Sequence, residues 1–390
     1  MPLAGSPAAG EKKTHPELAD IFRRYGERFE QTHRVSAAEH KVIRAAKVCR
    51  TQELGGHLYR CDACDFECPV YNSWRNRHCP KCQSLAKARW LEKQTAELLP
   101  VGYFHLVFTL PHEFNRLILA HKKIVLSLLF KAVSETLLEF GKSRLSGTLG
   151  IIAVLHTWDQ TLKDHFHLHC LVPAGALSSD QNRWIATRNN FLFPLKALSR
   201  VFRGKFLDLL GRARQQGKLN PIYSNIKVEH HKDWVVYAKK PFGSPQTVLD
   251  YLGRYTHRVA LSNDRILGIE NSQVTLSYRD RKDGDRKKTL PIEAQEFIRR
   301  FLLHVLPDGF MRIRHFGFLA NRSKKQALAQ CRKLLKLDPA LPEILKQSAK
   351  DLLLKLSGVD LSRCPRCHEG TMMPVGDLSA SPCLPRWDSS

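Results

Sequence analysis

The stretch from Asp164 to Pro173, Asp-His-Phe-His-Leu-His-Cys-Leu-Val-Pro, limits what this chain can fold into more than any other. With a side-chain period of two it reads as a strand. His165, His167 and His169 then share one face, and Phe166, Leu168, Cys170 and Val172 share the other. Such a strand belongs to a sheet with one face on an apolar core and the other turned to a polar site. Neutral imidazole is the commonest metal ligand, and two of them at i and i+2 are close enough to share one ion. The strand is preceded by Gly150 to Trp158, Gly-Ile-Ile-Ala-Val-Leu-His-Thr-Trp, and the short polar stretch Asp159 to Asp164 joins the two as an antiparallel hairpin. Counting back across the turn, Asp159 or Gln160 faces His167. Either oxygen would complete a two-histidine site suited to Mg²⁺ or Mn²⁺, whereas His165 as third ligand would favour zinc.

A second constraint comes from the cysteines. Cys61-Asp-Ala-Cys64 is followed fourteen residues later by Cys79-Pro-Lys-Cys82. Two such knuckles predict one four-thiolate zinc site, the ion replacing a core that so short a segment cannot build. Cys68 and His78 are spare candidates. Cys364-Pro-Arg-Cys367, followed by His368, is a further knuckle with only Cys383 after it, and reads equally as half a zinc ribbon or a degraded one.

Net charge matters for the partner. The chain carries 62 Lys+Arg against 37 Asp+Glu, a net charge of +25 spread from end to end. An excess of this kind points to a polyanion, most often nucleic acid, because neutralised phosphates release counterions. Arg75, Arg77 and Lys81 lie among the aromatics of the first cysteine segment. Arg279, Arg281, Lys287 and Lys288 surround a hairpin turn, and Arg312, Arg314 and Arg322 follow downstream; all are candidate DNA contacts. There is no charged-then-apolar leader and no run of about eighteen apolar residues, so the expectation is a soluble cytoplasmic protein with no membrane partner. The absence of a G-x-x-x-x-G-K-[ST] loop argues against a nucleotide cofactor.

Between these landmarks, periodicity predicts helices over His15 to Arg50, Ser84 to Leu99, Phe114 to Phe140, Leu195 to Leu210 and Pro291 to Leu306. Strands are predicted over Tyr103 to Thr109 and Trp234 to Pro241, and a hairpin over Val274 to Leu290. Ser244-Pro245 opens another helix, on which Tyr251 and Tyr255 stand one turn apart on a common face beside Arg254, His257 and Arg258. Paired tyrosines are often core residues. Beside a metal strand on a basic chain they are also candidate nucleophiles, with Arg254 and Arg258 favouring phenolate and phosphate alike.

Four motifs together resemble the IS91 family of rolling-circle transposases, in the His-hydrophobe-His endonuclease superfamily. They are Tyr71-Asn-Ser-Trp-Arg-Asn-Arg-His-Cys-Pro-Lys-Cys-Gln83, His156-Thr-Trp-Asp-Gln160 leading into His167-Leu-His169, Tyr251-Leu-Gly-Arg-Tyr255-Thr-His-Arg-Val-Ala-Leu-Ser262, and Phe301 to Gly317 continuing into Leu319-Ala-Asn-Arg322. The resemblance spans about His15 to Met373. It implies an α+β fold, an antiparallel sheet flanked by helices and preceded by a helical zinc-binding module. It further implies that His167 and His169 bind a divalent ion, and that Tyr251 and Tyr255 are paired nucleophiles cutting and rejoining single-stranded DNA through a 5′-phosphotyrosine. Three positions depart from the family pattern: Phe166 where proline is usual, Pro173-Ala-Gly175 where Pro-Gly-Gly is usual, and Trp74 where a cysteine is common. None removes a proposed ligand or nucleophile.

The expected organisation is a disordered 1–13, a zinc-binding DNA-contact domain over 14–99, a catalytic domain over 100–320, a basic helical region with the spare knuckle over 321–375, and a disordered tail over 376–390. Two other functions fit the same residues: a zinc-dependent DNA-binding protein that has lost catalysis, and a nicking enzyme of the replication-initiator or relaxase type.

Overall fold

A computed structural model of the chain describes residues 16–187, 192–224, 233–242, 247–248, 253, 261–280, 283–342, 347–358 and 360–380. The apolar alternation seen in the sequence becomes the centre of a seven-stranded antiparallel sheet. Its strands are β3 (Tyr103–Thr109), β4 (Gly147–Trp158), β5 (Asp164–Pro173), β6 (Gly175–Ser178), β7 (Trp184–Ala186), β8 (Val236–Phe242) and β12 (Ile313–Gly317). The spatial order is β7-β6-β4-β5-β3-β8, with β12 also on β4. The strand β5 therefore lies in the middle, hydrogen-bonded to β4 on one side and β3 on the other.

The two faces of the sheet differ as the period of two requires. Phe104, Leu106, Phe108, Ile151, Ala153, Leu155, Phe166, Leu168, Cys170 and Val172 are buried in one cluster. Helices α5 (Lys122–Leu145) and α6 (Leu195–Gln215) cover it through residues such as Leu129, Val133, Phe202 and Phe206. On the opposite face, Tyr103, Ile152, Val154 and Leu171 pack with Leu98, Leu99, Val248 and Leu328. That face carries the histidines.

The N-terminal helices α1 (Leu18–Thr32) and α2 (Ala37–Val48) are joined by a short connection in which Ser36 and Glu39 form a reciprocal cap on α2. Their apolar stripes do not pack only on each other. Leu18, Ile21, Phe22 and Phe29 share one core with Ile266, Val274, Leu276, Phe297 and Phe301. Those partners come from a second antiparallel sheet, β9 (Ile266–Glu270), β10 (Gln273–Asp280) and β11 (Arg286–Glu293), and from the following helix α8 (Ala294–Leu303). The hairpin expected over Val274 to Leu290 is present, but β11 runs on through Pro291, so the helix begins three residues later than predicted. Pro291 is tolerated because β11 is an edge strand, and Glu293 caps α8 by accepting from the Glu296 amide at 3.0 Å.

The chain end departs from expectation. Residues Met372–Leu378 form β13, which pairs with β1 (Gly56–Cys61), itself paired with β2 (Glu67–Tyr71). The expected disordered tail from 376 therefore begins inside a strand, and the region after 321 is joined to the cysteine segment rather than separate from it. Alternation in Met-Met-Pro-Val-Gly-Asp-Leu is weak, and only Met372 of that strand is buried. Residues 1–13 and the tail beyond 380 lie outside the described residues.

Candidate functional site

The hairpin β4–β5 places three imidazoles together. His156 faces His167 directly, Val154 faces His169, and the register shifts between His156 and Trp158. That irregularity, together with a tight turn at 159–163, changes which residue faces His167. Asp159 does not face His167. Its Oδ1 accepts from the Thr161 amide at 2.7 Å and from the Lys163 amide at 2.9 Å, which commits the carboxylate to the turn. Gln160 is in the same turn, where its carbonyl accepts from Arg265. The donor brought across is instead His156, and His156, His167 and His169 form one buried group whose ligand atoms lie within 4.8 Å of one another. His165 is exposed, with its side chain on the rim, and is no member of the group.

Second contacts orient the rings. The Nδ1 of His167 lies 2.9 Å from the carbonyl oxygen of His165. A carbonyl only accepts, so Nδ1 carries the proton and Nε2 presents its lone pair to the group. His169 places Nδ1 2.9 Å from Nε2 of His105, a buried residue of β3, and its own Nε2 3.0 Å from that of His167. Cis positions about a near-octahedral ion with bonds of ~2.1 Å are ~3.0 Å apart, so the pair has the spacing of two ligands to one cation. Trp158 stacks on the His156 ring, with centroids 4.9 Å apart. His105 and His156 were both missed in the sequence. The alternation of Tyr103 to Thr109 does put His105 on the histidine face; His156 needed the bulge, which no local residue announces.

The expected nucleophile segment is described only in part. Tyr251, Arg254, Tyr255 and Arg258 lie outside the described residues. Their described neighbours are informative: Val248 is fully buried in the cluster on the histidine face. Gly253, also buried, sits so close to α3 (Pro80–Glu97) that an added Cβ would stand 3.1 Å from Leu91 Cδ1 and from Lys87 Cε.

The cysteines form two groups rather than one. Cys79 and Cys82 flank the first turn of α3 and meet Cys49 at the end of α2, with Cys49 Sγ 3.8 Å from Cys79 Sγ and 3.5 Å from Cys82 Sγ. Hydrogen bonds from Cys49 and Cys79 stabilise the Cys82 thiolate and pull its pKa down to about 2. Cys61 and Cys64 are carried to the far end of the β1–β2 hairpin, ~17 Å of strand away, and meet Cys364 and Cys367 there. The expected single site of Cys61, Cys64, Cys79 and Cys82 is therefore split. Cys49 gave no sequence signal because it stands alone at a helix end. Cys68 and His78 belong to neither group.

The basic candidates divide as well. Arg75, Arg279, Lys287 and Arg322 are exposed. Arg77 faces inward and donates to the carbonyls of Phe310, Leu306 and Pro307, each at 2.9 Å. Arg314 packs over the Phe130 and Phe310 rings at 4.3 and 5.0 Å. Burial lowers the pKa of Arg312 to about 10. Arg77 and Arg314 thus make contacts that serve the fold, and Arg312 is partly buried beside them. Lys81 pairs with Glu17 at 2.6 Å, and Lys288 with Asp280 and Asp283, both at 2.9 Å, so the hairpin turn is less basic than its lysines and arginines imply. Arg281 lies outside the described residues. No described helix is long and apolar enough to cross a membrane.

Comparison with known proteins relates the chain to transposases. Residues 150–327, which contain the histidine hairpin and the tyrosines, match a family described as "Putative transposase". Residues 21–110 match a "Transposase zinc-binding domain" of the IS91 type. The chain is 45% identical over 397 residues to "Putative transposase y4qJ" of Sinorhizobium fredii, covering 97% of this chain and 100% of that one. It is 29% identical over 349 residues to the "Transposase for insertion sequence element IS801" of Pseudomonas savastanoi pv. phaseolicola, covering 84% and 82% respectively.

Proposed function

Since the chain belongs to the IS91 family of transposases with an N-terminal zinc-binding domain, we propose that it moves DNA by a rolling-circle route, cleaving and rejoining single strands through a 5′-phosphotyrosine. The observation that carries this reading is the buried trio His156, His167 and His169, two of whose rings are fixed by second contacts from the His165 carbonyl and His105. The donor set fits a divalent cation. Three imidazoles are a poor match for Mg²⁺, which prefers oxygen ligands and keeps its waters, and as a three-histidine set they suit zinc as well as Mn²⁺. When bound there, such an ion polarises the scissile phosphate and neutralises charge in the transition state.

The protein supplies the rest. The phenol oxygen of Tyr251 or Tyr255 attacks phosphorus, the P–O3′ bond breaks, and the departing oxygen takes up a proton to become a free 3′-hydroxyl. The phosphodiester energy is retained in the tyrosyl ester, so no nucleotide is consumed. Free phenol, with a pKa near ~10, is a weak nucleophile at neutral pH, and Arg254 and Arg258 are proposed to favour its ionised form. The second tyrosine accepts the other strand end for joining. Support for bringing these tyrosines to the metal comes from Val248 and Gly253, which pack on the histidine face and on α3. Exposed Arg75, Arg279, Lys287 and Arg322 are proposed to hold the strand. The site of action is then the bacterial chromosome, in the cytoplasm.

The test is a denaturing gel of labelled single strands carrying the element's own ends, incubated with protein and Mn²⁺ or Mg²⁺. A slow, protease-sensitive adduct lost in the Tyr251→Phe/Tyr255→Phe double variant is expected. Metal-dependent cleavage with no adduct would sink the phosphotyrosine step.

A further inference from the structure

We propose that Cys61, Cys64, Cys364 and Cys367 form a second zinc site, a ribbon whose two halves come from opposite ends of the chain. The four sulfurs lie within 4.8 Å of one another. Cys61 Sγ is 3.7 Å from Cys367 Sγ and Cys64 Sγ is 3.6 Å from Cys364 Sγ, across sequence separations of 306 and 300. A tetrahedral zinc with Zn–S bonds of ~2.3 Å has S–S edges of ~3.8 Å, so these spacings match thiolates around one ion.

The surrounding backbone is built as two facing knuckles. Within each Cys-x-x-Cys turn an amide two residues on donates to the first sulfur: Ala63 to Cys61 and Arg366 to Cys364, both at 3.4 Å. Gly370 donates to Cys367 at 3.3 Å. The residue after each second cysteine is left-handed, Asp65 with φ 52° and His368 with φ 60°. Amides aimed at sulfur offset the charge that four thiolates gather. The halves are then locked together by the pairing of β1 with β13 and by Asp62, whose Oδ1 accepts from the Thr371 amide at 2.8 Å. Gly370 is required by the closeness of the approach, because a Cβ there would stand 2.4 Å from the Cys61 sulfur.

The apolar core of this ribbon is small: among the described residues its buried members are Cys61, Cys364 and Met372, with Tyr59, Phe66 and Cys68 packed partly buried against them. With so small an apolar core, strand pairing leaves the ribbon weakly held, and an ion bound by the four thiolates would add to its stability, coupling ion binding to folding of the ribbon. The zinc-binding family match ends at 110, well short of Cys364. The C-terminal knuckle is therefore neither degraded nor a separate half-site; it completes the ribbon begun by the first.

Zinc content and differential cysteine alkylation, read by mass spectrometry on the purified full-length protein, test this. Cys61, Cys64, Cys364 and Cys367 should be protected together and become reactive together when a chelator is added. The Cys364→Ser/Cys367→Ser variant should hold one zinc fewer than wild type, with Cys61 and Cys64 newly reactive. Unchanged zinc content in that variant would overturn the site. So would Cys364 and Cys367 reacting in the zinc-loaded wild type while Cys61 and Cys64 stay protected, a readout that does not depend on the variant folding. Protection released by a reductant but not by a chelator would reveal disulfides and equally reject the ion. Neither measurement involves DNA cleavage, so its outcome is independent of the strand-transfer reading.

Discussion

At the scale of single residues, the histidine trio is distinct from its neighbours in the sequence. His156 is 4% exposed and faces His167, whereas Gln160 lies in the turn beyond the register shift, its main-chain carbonyl accepting from Arg265. His156→Ala should lower metal-dependent cleavage by at least about 100-fold, while Gln160→Ala stays near wild type. Equal losses in a cleavage assay would restore Gln160 as the ligand. A different histidine serves stability. His304 is buried, with Nε2 3.0 Å from the Leu162 carbonyl and Nδ1 3.2 Å from the Thr157 hydroxyl, and burial lowers its pKa to about 4. Its stabilisation as a neutral ring is complete above the unfolded value of ~6.5 and is lost as pH falls towards 4, because the unfolded chain takes up the proton first. The loss should be about 3 kcal/mol by pH 4, and thermal melts of His304→Gln should show a shallower slope over that interval. Both roles bear on legibility. The alternation of the strand put His167 and His169 on one face, where the structure places them together. It could not place His156 in the group, since its position depends on a register shift, nor separate its role from that of His304, because both are histidines among hydrophobic residues until burial and partners are known.

At the scale of elements, the strands were legible because their alternation is strong. Tyr103 to Thr109 was read with the bounds it has, and the β4–β5 and β10–β11 hairpins were both expected. What failed was any judgement that required knowing which elements meet. Arg77 looks like a phosphate contact among basic neighbours, yet its guanidinium ties the segment before α3 to the loop after α8 by three carbonyls. A lysine keeps the charge but offers no planar fork. Arg77→Lys should therefore cost about 2–3 kcal/mol of stability, measured by denaturant melts, with the affinity of the folded protein for single-stranded DNA little changed. Weakened binding with unaltered stability would return Arg77 to the DNA surface. The cysteines failed for the same reason: spacing paired Cys61 with Cys79, but the length of β1 and β2 separates the hairpin tip from the start of α3.

At the scale of the whole molecule, the expected boundary near residue 99 is the reading the packing least supports. Leu18, Ile21, Phe22 and Phe29 are at most 4% exposed, and their partners Phe297, Ile298 and Phe301 come from α8, far along the chain from the expected boundary. Phe22 and Phe301 meet edge to face at 5.5 Å. Cutting the chain after residue 110 would expose this stripe together with the open edge of β1 that β13 now covers. Large aromatic and aliphatic side chains lose roughly 1.5–3 kcal/mol each when returned to water, more than a small helical piece with one three-cysteine site has in reserve. A fragment of residues 14–110, loaded with zinc, should therefore show no cooperative thermal transition, while the full chain melts with the N-terminal helices and the catalytic sheet as one unit. Hydrogen exchange gives the same contrast without a fragment: amides of α1 and of α8 should open with a common free energy. A fragment that folds cooperatively by itself would restore the independent domain and leave its contacts with Phe297 and Phe301 as mere docking.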